Sequence, residues 1–168
     1  VASVGQSVGK QREHNEDSLL ALTSTISGSA ESIPFGLYIV ADGMGGHQFG
    51  EVASNAAIRI MGGNITKKFH SYLYNLPTQT LQESLQEVME ASIMEAHQYV
   101  QREAPGSGTT VTAALVLGQQ VTIAHVGDSR AYSVYPDGRV EPITRDHSLV
   151  KRLEELGHLS KDEAENFP

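Results

Sequence analysis

The sequence predicts an α+β domain in which helices pack on an antiparallel β-sheet. Short apolar runs come first, two long stretches with helical spacing follow, and short apolar runs then return. The later runs are joined by close turns, which connect antiparallel strands, whereas parallel strands need long crossovers. With 168 residues, of which 39% are hydrophobic and 19% charged, the chain is long enough to form one domain with a buried core.

Three strands are predicted before the first helix. They cover residues 2–8, 18–24 and 35–41. The first shows period-two spacing of Ala2, Val4 and Val8. The third is apolar and β-branched and lies between Pro34 and a glycine-rich loop, so we expect a buried strand there.

Two helices are predicted in the middle of the chain. Over residues 50–69, small and apolar side chains form a narrow stripe that suits close packing on a sheet. The stripe comprises Val52, Ala53, Ala56, Ala57, Ile60 and Met61. We expect the Gly62-Gly63 pair to break or fray this helix. Helical spacing continues over residues 80–103, with Thr78 or Thr80 as the predicted N-cap.

Strands joined by turns return after the second helix. They are predicted over residues 109–117, 121–126, 129–135 and 139–144. The segments Gly118-Gln119-Gln120 and Pro136-Asp137-Gly138 have the composition of hairpin turns. Asp146 is predicted to cap a short helix over residues 149–156, and a second short helix is predicted from Ser160.

Composition excludes several classes of function. The formal net charge is -8, so we expect no nucleic-acid partner and no binding to an anionic membrane. The chain contains no cysteine, which excludes disulfides, thiolate metal sites and a cysteine nucleophile. Its apolar runs are too short to span a membrane and no signal peptide opens it, so we expect a cytoplasmic protein.

Three loops that carry acidic residues lie next to predicted strands. Asp42 ends the third strand and is followed by a loop with glycines at 43, 45 and 46. Taken alone, this Asp-Gly pattern is typical of a turn. Residues 12–17 and 125–130 add two more loops with acids, and in the second of these Asp128 again follows a glycine. Several carboxylates at strand ends favour a site for a hard divalent metal ion.

Four motifs, taken together, resemble the bacterial branch of the metal-dependent protein serine/threonine phosphatases of the type 2C family. They are Arg12-x-x-Asn15-Glu16-Asp17, Asp42-Gly43-Met44-Gly45-Gly46-His47, Ser107-Gly108-Thr109-Thr110 and Gly127-Asp128-Ser129-Arg130. The resemblance implies a layered α-β-β-α sandwich of antiparallel sheets flanked by helices. It covers residues 1–168 as a single phosphatase-like domain, in which residues 144–168 are similar to the family's flap segment and are expected to be helical.

The resemblance also implies roles for residues of the acidic loops. Asp42 would bridge two Mg²⁺ or Mn²⁺ ions, and Gly43 would offer its main-chain carbonyl to one of them. Glu16 and Asp17 would hold metal-bound waters or support the ligands. Asp128 would hold the third ion that bacterial members of the family can bind.

Arg12 is expected to grip the phosphate through its planar guanidinium. The implied reaction is hydrolysis of phosphoserine and phosphothreonine in proteins by a metal-activated hydroxide, which opposes bacterial Ser/Thr kinases. Animal members place a histidine where this chain has Met44, so the general acid stays open between His47 and a metal-bound water.

Other polar residues are expected to have structural roles. His14, His125 and His147 are interpreted as structural rather than as ligands, and Arg130 as part of an ion pair or hydrogen-bond network. The protein is expected to act as a monomer on phosphoproteins.

Two later motifs of the family, Ser-Asp-Gly and Gly-x-x-Asp-Asn, do not occur in this sequence. The chain therefore resembles the amino-terminal portion of a phosphatase domain, and we expect it to bind metal weakly and turn over poorly by itself. The alternative is a non-catalytic, phosphatase-like module that binds a partner, or an inactive fragment.

Overall fold

A computed structural model describes residues 2–10, 14–27, 32–45, 49–74 and 83–147. The strands are β1 (Ser18–Ser27), β2 (Ser32–Ala41), β3 (Gly43–Met44), β4 (Gly108–Thr109), β5 (Val111–Leu117), β6 (Gln120–Val126), β7 (Tyr132–Val134) and β8 (Val140–Pro142). The helices are α1 (Phe49–Tyr74) and α2 (Leu85–Glu103). Within these ranges, no helix is long and apolar enough to cross a membrane.

Four strands form one antiparallel sheet in the order β1-β2-β5-β6. Two short ladders, β3–β4 and β7–β8, are also antiparallel. The predicted α+β class with antiparallel strands is therefore confirmed. The strands predicted over 129–135 and 139–144 are shorter than expected, since only residues 132–134 and 140–142 pair with each other.

Both helices pack on one face of the four-stranded sheet. The side chains that α1 buries repeat every four residues: Ala53, Ala57, Met61, Ile65 and Phe69. From the sheet they meet Leu37, Ile39, Ala113 and Leu115, and α2 adds Leu85, Val88, Met89 and Ala96. The fourfold repeat places these residues along one side of the helix, because four residues complete slightly more than one turn.

Helix α1 continues through Gly62-Gly63 to Tyr74, so the predicted break is wrong. Gly62 is buried against the sheet, and a Cβ added there would lie 2.7 Å from the Leu20 Cδ2. The glycine allows the helix to approach β1 closely. Burial of the neighbouring apolar side chains outweighs the poor helix propensity of the two glycines.

Helix α2 begins later than predicted. Its N-cap is Ser84, whose hydroxyl accepts a hydrogen bond from the Glu87 N–H at 3.2 Å. The Glu87 carboxylate accepts the Ser84 N–H at 2.7 Å, which completes a capping box. This reciprocal pair fixes the start of the helix and corrects the predicted start. Thr78 and Thr80 lie outside the described residues.

The strand predicted over residues 2–8 does not form. Val4 and Val8 are 63% and 43% exposed, and no strand among the described residues pairs with this segment. Alternating apolar residues are not sufficient for a strand, because its N–H and C=O groups also need a neighbouring strand.

The predicted helices over residues 149–156 and from Ser160 lie outside the described residues, as does most of the flap-like segment 144–168. Asp146, expected to cap the first of them, accepts hydrogen bonds from the Arg130 guanidinium at 2.9 and 2.5 Å.

Candidate functional site

The three acidic loops lie at the same end of the four-stranded sheet. Strand β1 begins where β2 ends, because Ser18 pairs with Ala41. In the same way, β5 begins where β6 ends, because Val111 pairs with Val126. Because β2 and β5 are antiparallel neighbours, three segments lie at the same end of the sheet. They are the segment before β1, the residue after β2 and the loop after β6.

The main chain of Asp42 is fixed by hydrogen bonds to strand residues on the other side of the ladder. Its N–H donates to the Thr110 hydroxyl at 3.0 Å, and its carbonyl accepts the Thr110 N–H at 2.9 Å. The Thr109 hydroxyl donates to the same carbonyl at 3.0 Å. The residue itself is exposed. A fixed backbone therefore presents Asp42, an exposed residue, at the end of β2.

Gly43 is buried between two other segments. A Cβ added there would lie 2.2 Å from the Gly50 carbonyl oxygen and 2.6 Å from the Glu16 carbonyl oxygen. Real Cβ atoms do not approach backbone atoms so closely, so only glycine fits this position. The close contact brings the residue after Asp42 against the first turn of α1 and against the Glu16 loop.

Helix α1 holds the main chain of Glu16 and lies close to its side chain. The Ser54 hydroxyl donates to the Glu16 carbonyl at 2.6 Å, and it also lies 3.0 Å from the Ser18 hydroxyl. A Cβ added at Gly50 would lie 3.1 Å from the Glu16 carboxylate. Gly50 lies in the first turn of α1, where free N–H groups and the helix dipole favour negative charge.

Asp17 connects the Glu16 loop to β1. Its N–H donates to the Asn15 side-chain oxygen at 3.0 Å, and its carbonyl accepts the Gln6 side-chain amide at 3.0 Å. These bonds shape the loop through its main chain.

The Asp128 loop packs on the same threonine that holds Asp42. Gly127 has a φ of 109°, and a Cβ added there would lie 2.6 Å from the Thr110 Cγ2. The Ser129 hydroxyl lies 2.7 Å from the Thr110 hydroxyl. Asp128 is exposed. The loop therefore needs glycine both for its backbone conformation and for its contact with Thr110.

Two histidines near this loop make structural contacts. His125 lies between the Thr112 hydroxyl and the Arg145 carbonyl, with each ring nitrogen 3.0 Å from its partner. Because a carbonyl only accepts, Nε2 of His125 donates and Nδ1 accepts when the ring is neutral. His147 packs on His125 with ring centroids 4.9 Å apart, and the main-chain N–H of His147 donates to the Gly127 carbonyl at 2.7 Å. His14 is exposed.

Arg130 forms a two-pronged ion pair with Asp146. The hydrogen bonds that the Arg130 guanidinium donates to the Asp146 carboxylate raise the pKa of the guanidinium. The expectation that Arg130 belongs to an ion pair is confirmed, and this pair ties the Asp128 loop to the chain that follows β8.

The groups that could bind a metal at this end of the sheet are carboxylate and main-chain oxygens, which are the ligands that a hard divalent cation prefers. In the described ranges, however, no three or more side chains of His, Cys, Asp and Glu converge closely enough to hold a metal ion. Arg12 and His47 lie outside those ranges. The described residues therefore fit part of a ligand set for Mg²⁺ or Mn²⁺.

Two residues that support the acidic loops at this end of the sheet had no predicted role. Thr110 occurs in one of the sequence motifs, yet only the structure shows that its hydroxyl contacts both Asp42 and Ser129. Ser54 lies next to Ala53 in α1 and supports Glu16. A serine among buried alanines is the one sequence signal that distinguishes it.

Comparisons with known proteins match nearly the whole chain. The family model described as Protein phosphatase 2C matches residues 1–156. The serine/threonine phosphatase stp of Listeria innocua is 38% identical over 161 residues, covering 95% of this chain and 60% of the relative.

Two solved structures show the same fold. That of the Mycobacterium tuberculosis serine/threonine phosphatase PstP/Ppp matches with a TM-score of 0.65 and 30% identity, over 95% of this chain and 60% of that one. The catalytic domain of PstP in complex with two manganese ions matches with a TM-score of 0.63 and 30% identity, over 93% and 60% of the two chains. This chain thus spans about 60% of the length of the Listeria relative and of the chain in each of the two solved structures.

Proposed function

The chain belongs to the protein phosphatase 2C family, and we propose that its complete gene product is a metal-dependent phosphatase for phosphoserine and phosphothreonine in proteins. The observation that carries the proposal is the construction around Asp42. Asp42 is an exposed residue at a strand end, its main chain is held on one side by Thr110, and its neighbour Gly43 is enclosed on the other side by Glu16 and Gly50. Such fixed geometry is needed at a site that must orient a ligand.

We assign the metal-binding roles to oxygen atoms of the acidic loops at this end of the sheet. Asp42 would hold two ions, and Gly43 would contribute its carbonyl. Glu16 and Asp17 would hold metal-bound waters or support the ligands. Asp128 would hold a third ion. The position of all five residues at the same end of the sheet supports these assignments.

When bound, Mg²⁺ or Mn²⁺ would supply Lewis-acid chemistry that activates water and neutralises charge on the phosphoryl group. The chain's own residues would orient the reactants. Arg12 would bind the phosphate oxygens through paired N–H groups, as guanidinium groups do. His47 is proposed as a candidate proton donor to the leaving oxygen. The manganese-bound structure of PstP supports Mn²⁺ as the first ion to test.

We further propose that the substrates are cytoplasmic phosphoproteins, the targets of bacterial Ser/Thr kinases, and that the enzyme acts as a monomer in signal transduction. The bacterial phosphatases among the relatives support this setting. The net charge of -8 supports protein substrates rather than nucleic acid or an anionic membrane surface.

The test is release of inorganic phosphate from a phosphothreonine peptide by the complete gene product, with Mn²⁺ and with EDTA. Asp42→Asn removes the proposed ligand charge at nearly constant volume. Asp137→Asn is a matched control, because Asp137 is an exposed turn residue in the β7–β8 hairpin.

We expect Mn²⁺-dependent hydrolysis that Asp42→Asn abolishes and Asp137→Asn leaves unchanged. Hydrolysis that persists in EDTA or in Asp42→Asn would refute the proposal. So would a folded gene product that hydrolyses no phosphopeptide, which would instead favour the non-catalytic binding module.

A further inference from the structure

The pair formed by Asp42 and Thr110 interrupts an otherwise continuous ladder. On one side Val40 pairs with Thr112, and on the other Gly43 pairs with Thr109, so no residue is inserted between the two ladders. Two residues of each segment lie between these pairs, and at the second of them the Asp42 N–H donates to the Thr110 hydroxyl. The Thr110 carbonyl lies 3.0 Å from the Thr109 hydroxyl, whose single proton is shared between this carbonyl and that of Asp42. A side chain has thus replaced a main-chain group in the ladder at the position of Asp42.

The same hydroxyl also reaches the Asp128 loop. Thr110 is only 4% exposed, and its hydroxyl lies 2.7 Å from that of Ser129. Its methyl group fills the space that a side chain at Gly127 would need. One buried threonine therefore contacts the backbone of Asp42 and two residues that flank Asp128.

We propose that Thr110 is a positioning residue, which sets the direction of the Asp42 carboxylate and its spacing from the Asp128 loop. This inference rests on the proposed function, in which both acids hold metal ions. The direction of a side chain follows the orientation of its own peptide units, and the two peptide units of Asp42 are both held by Thr110. Groups that orient metal ligands affect metal affinity without touching the metal.

The hydroxyl is the part of Thr110 that matters for this role. Thr110→Val keeps the shape of the side chain but leaves the Asp42 N–H without its acceptor and breaks the link to Ser129. Thr110→Ser restores the hydroxyl. Thr23→Val is the matched control, because it removes a strand hydroxyl that lies in β1 and bonds to the Tyr38 hydroxyl at 2.9 Å.

The experiment is calorimetric titration of Mn²⁺ into the complete gene product and these variants, with urea unfolding in EDTA as a separate measure of the fold. We expect Thr110→Val to weaken Mn²⁺ binding by roughly 10- to 100-fold. Thr110→Ser should bind almost as tightly as the wild type, and Thr23→Val should match the wild type. If Thr110→Val does not fold, Ser129→Ala tests the same link from the other side and should also weaken binding.

Wild-type Mn²⁺ affinity in folded Thr110→Val, or in Ser129→Ala when Thr110→Val does not fold, would overturn this inference alone. Equal weakening in Thr110→Val and Thr23→Val would also overturn it, because the effect would then come from the loss of any hydroxyl in the sheet. A wild-type protein that binds no Mn²⁺ would overturn the proposed function, and this inference with it.

Discussion

Replacing Gly43 with alanine should destabilise the protein at the edge where the acidic loops meet. The new Cβ would lie 2.2 Å from the Gly50 carbonyl oxygen, 2.5 Å from its carbon and 2.6 Å from the Glu16 carbonyl oxygen. These are main-chain atoms in two different segments, and the Glu16 carbonyl is held by Ser54 at 2.6 Å. Neither side can yield by rotating a side chain. Overpacking typically costs about 1–3 kcal/mol, and this contact belongs at the upper end, at about 3 kcal/mol.

The measurement is urea and thermal unfolding of the complete gene product in EDTA. A loss of about 3 kcal/mol should lower both the urea midpoint and the Tm. Gly63→Ala is the matched control, because Gly63 is exposed within α1 and has no atom within 4 Å of an added Cβ. That change should raise stability by about 0.5–1 kcal/mol. If Gly43→Ala unfolds within about 0.5 kcal/mol of the wild type, the close packing of the site is wrong.

Three further predictions use the same unfolding measurements. Met61→Ala removes a fully buried side chain and should cost about 2–5 kcal/mol, whereas Val52→Ala, at a position 44% exposed in the same helix, should stay within about 0.5 kcal/mol. Hydrogen bonds from the N-cap residue lower the pKa of Glu87 below its ordinary 4.5, so its stabilising effect should be present above that pH and lost as the pH falls through the lower, folded-state pKa. The stability gap between wild type and Glu87→Gln should close in acid, and a gap that widens there would contradict this. Gly127→Ala forces a side chain into a positive φ and against Thr110, and should cost about 1–3 kcal/mol.

The strands and helices that carry a strong periodic pattern could be predicted from sequence. Residues 35–41 form a buried part of β2, and the turn at Gly118 joins β5 to β6. The prediction was wrong where the outcome depends on a tertiary contact. Gly62 stays helical because Leu20 packs against it, and the strand over residues 2–8 does not form because no strand among the described residues pairs with it.

The loops of the candidate site could be predicted for a similar reason, since short-range sequence marks acids and glycines at strand ends. What the sequence could not supply is the contact that connects those loops. Thr110 is 68 residues from Asp42, and Ser54 is 38 residues from Glu16, in the chain. Only the register of the sheet and the packing of α1 bring these hydroxyl groups to the backbone of the acids.

The assignment of Asp42 as a metal ligand is the central claim, and direct Mn²⁺ binding tests it without assuming a substrate. Calorimetric titration of the complete gene product should show Mn²⁺ binding that is lost or greatly weakened in Asp42→Asn, while both proteins unfold at similar urea concentrations in EDTA. The same Mn²⁺ affinity and stoichiometry in wild type and in folded Asp42→Asn would contradict the claim.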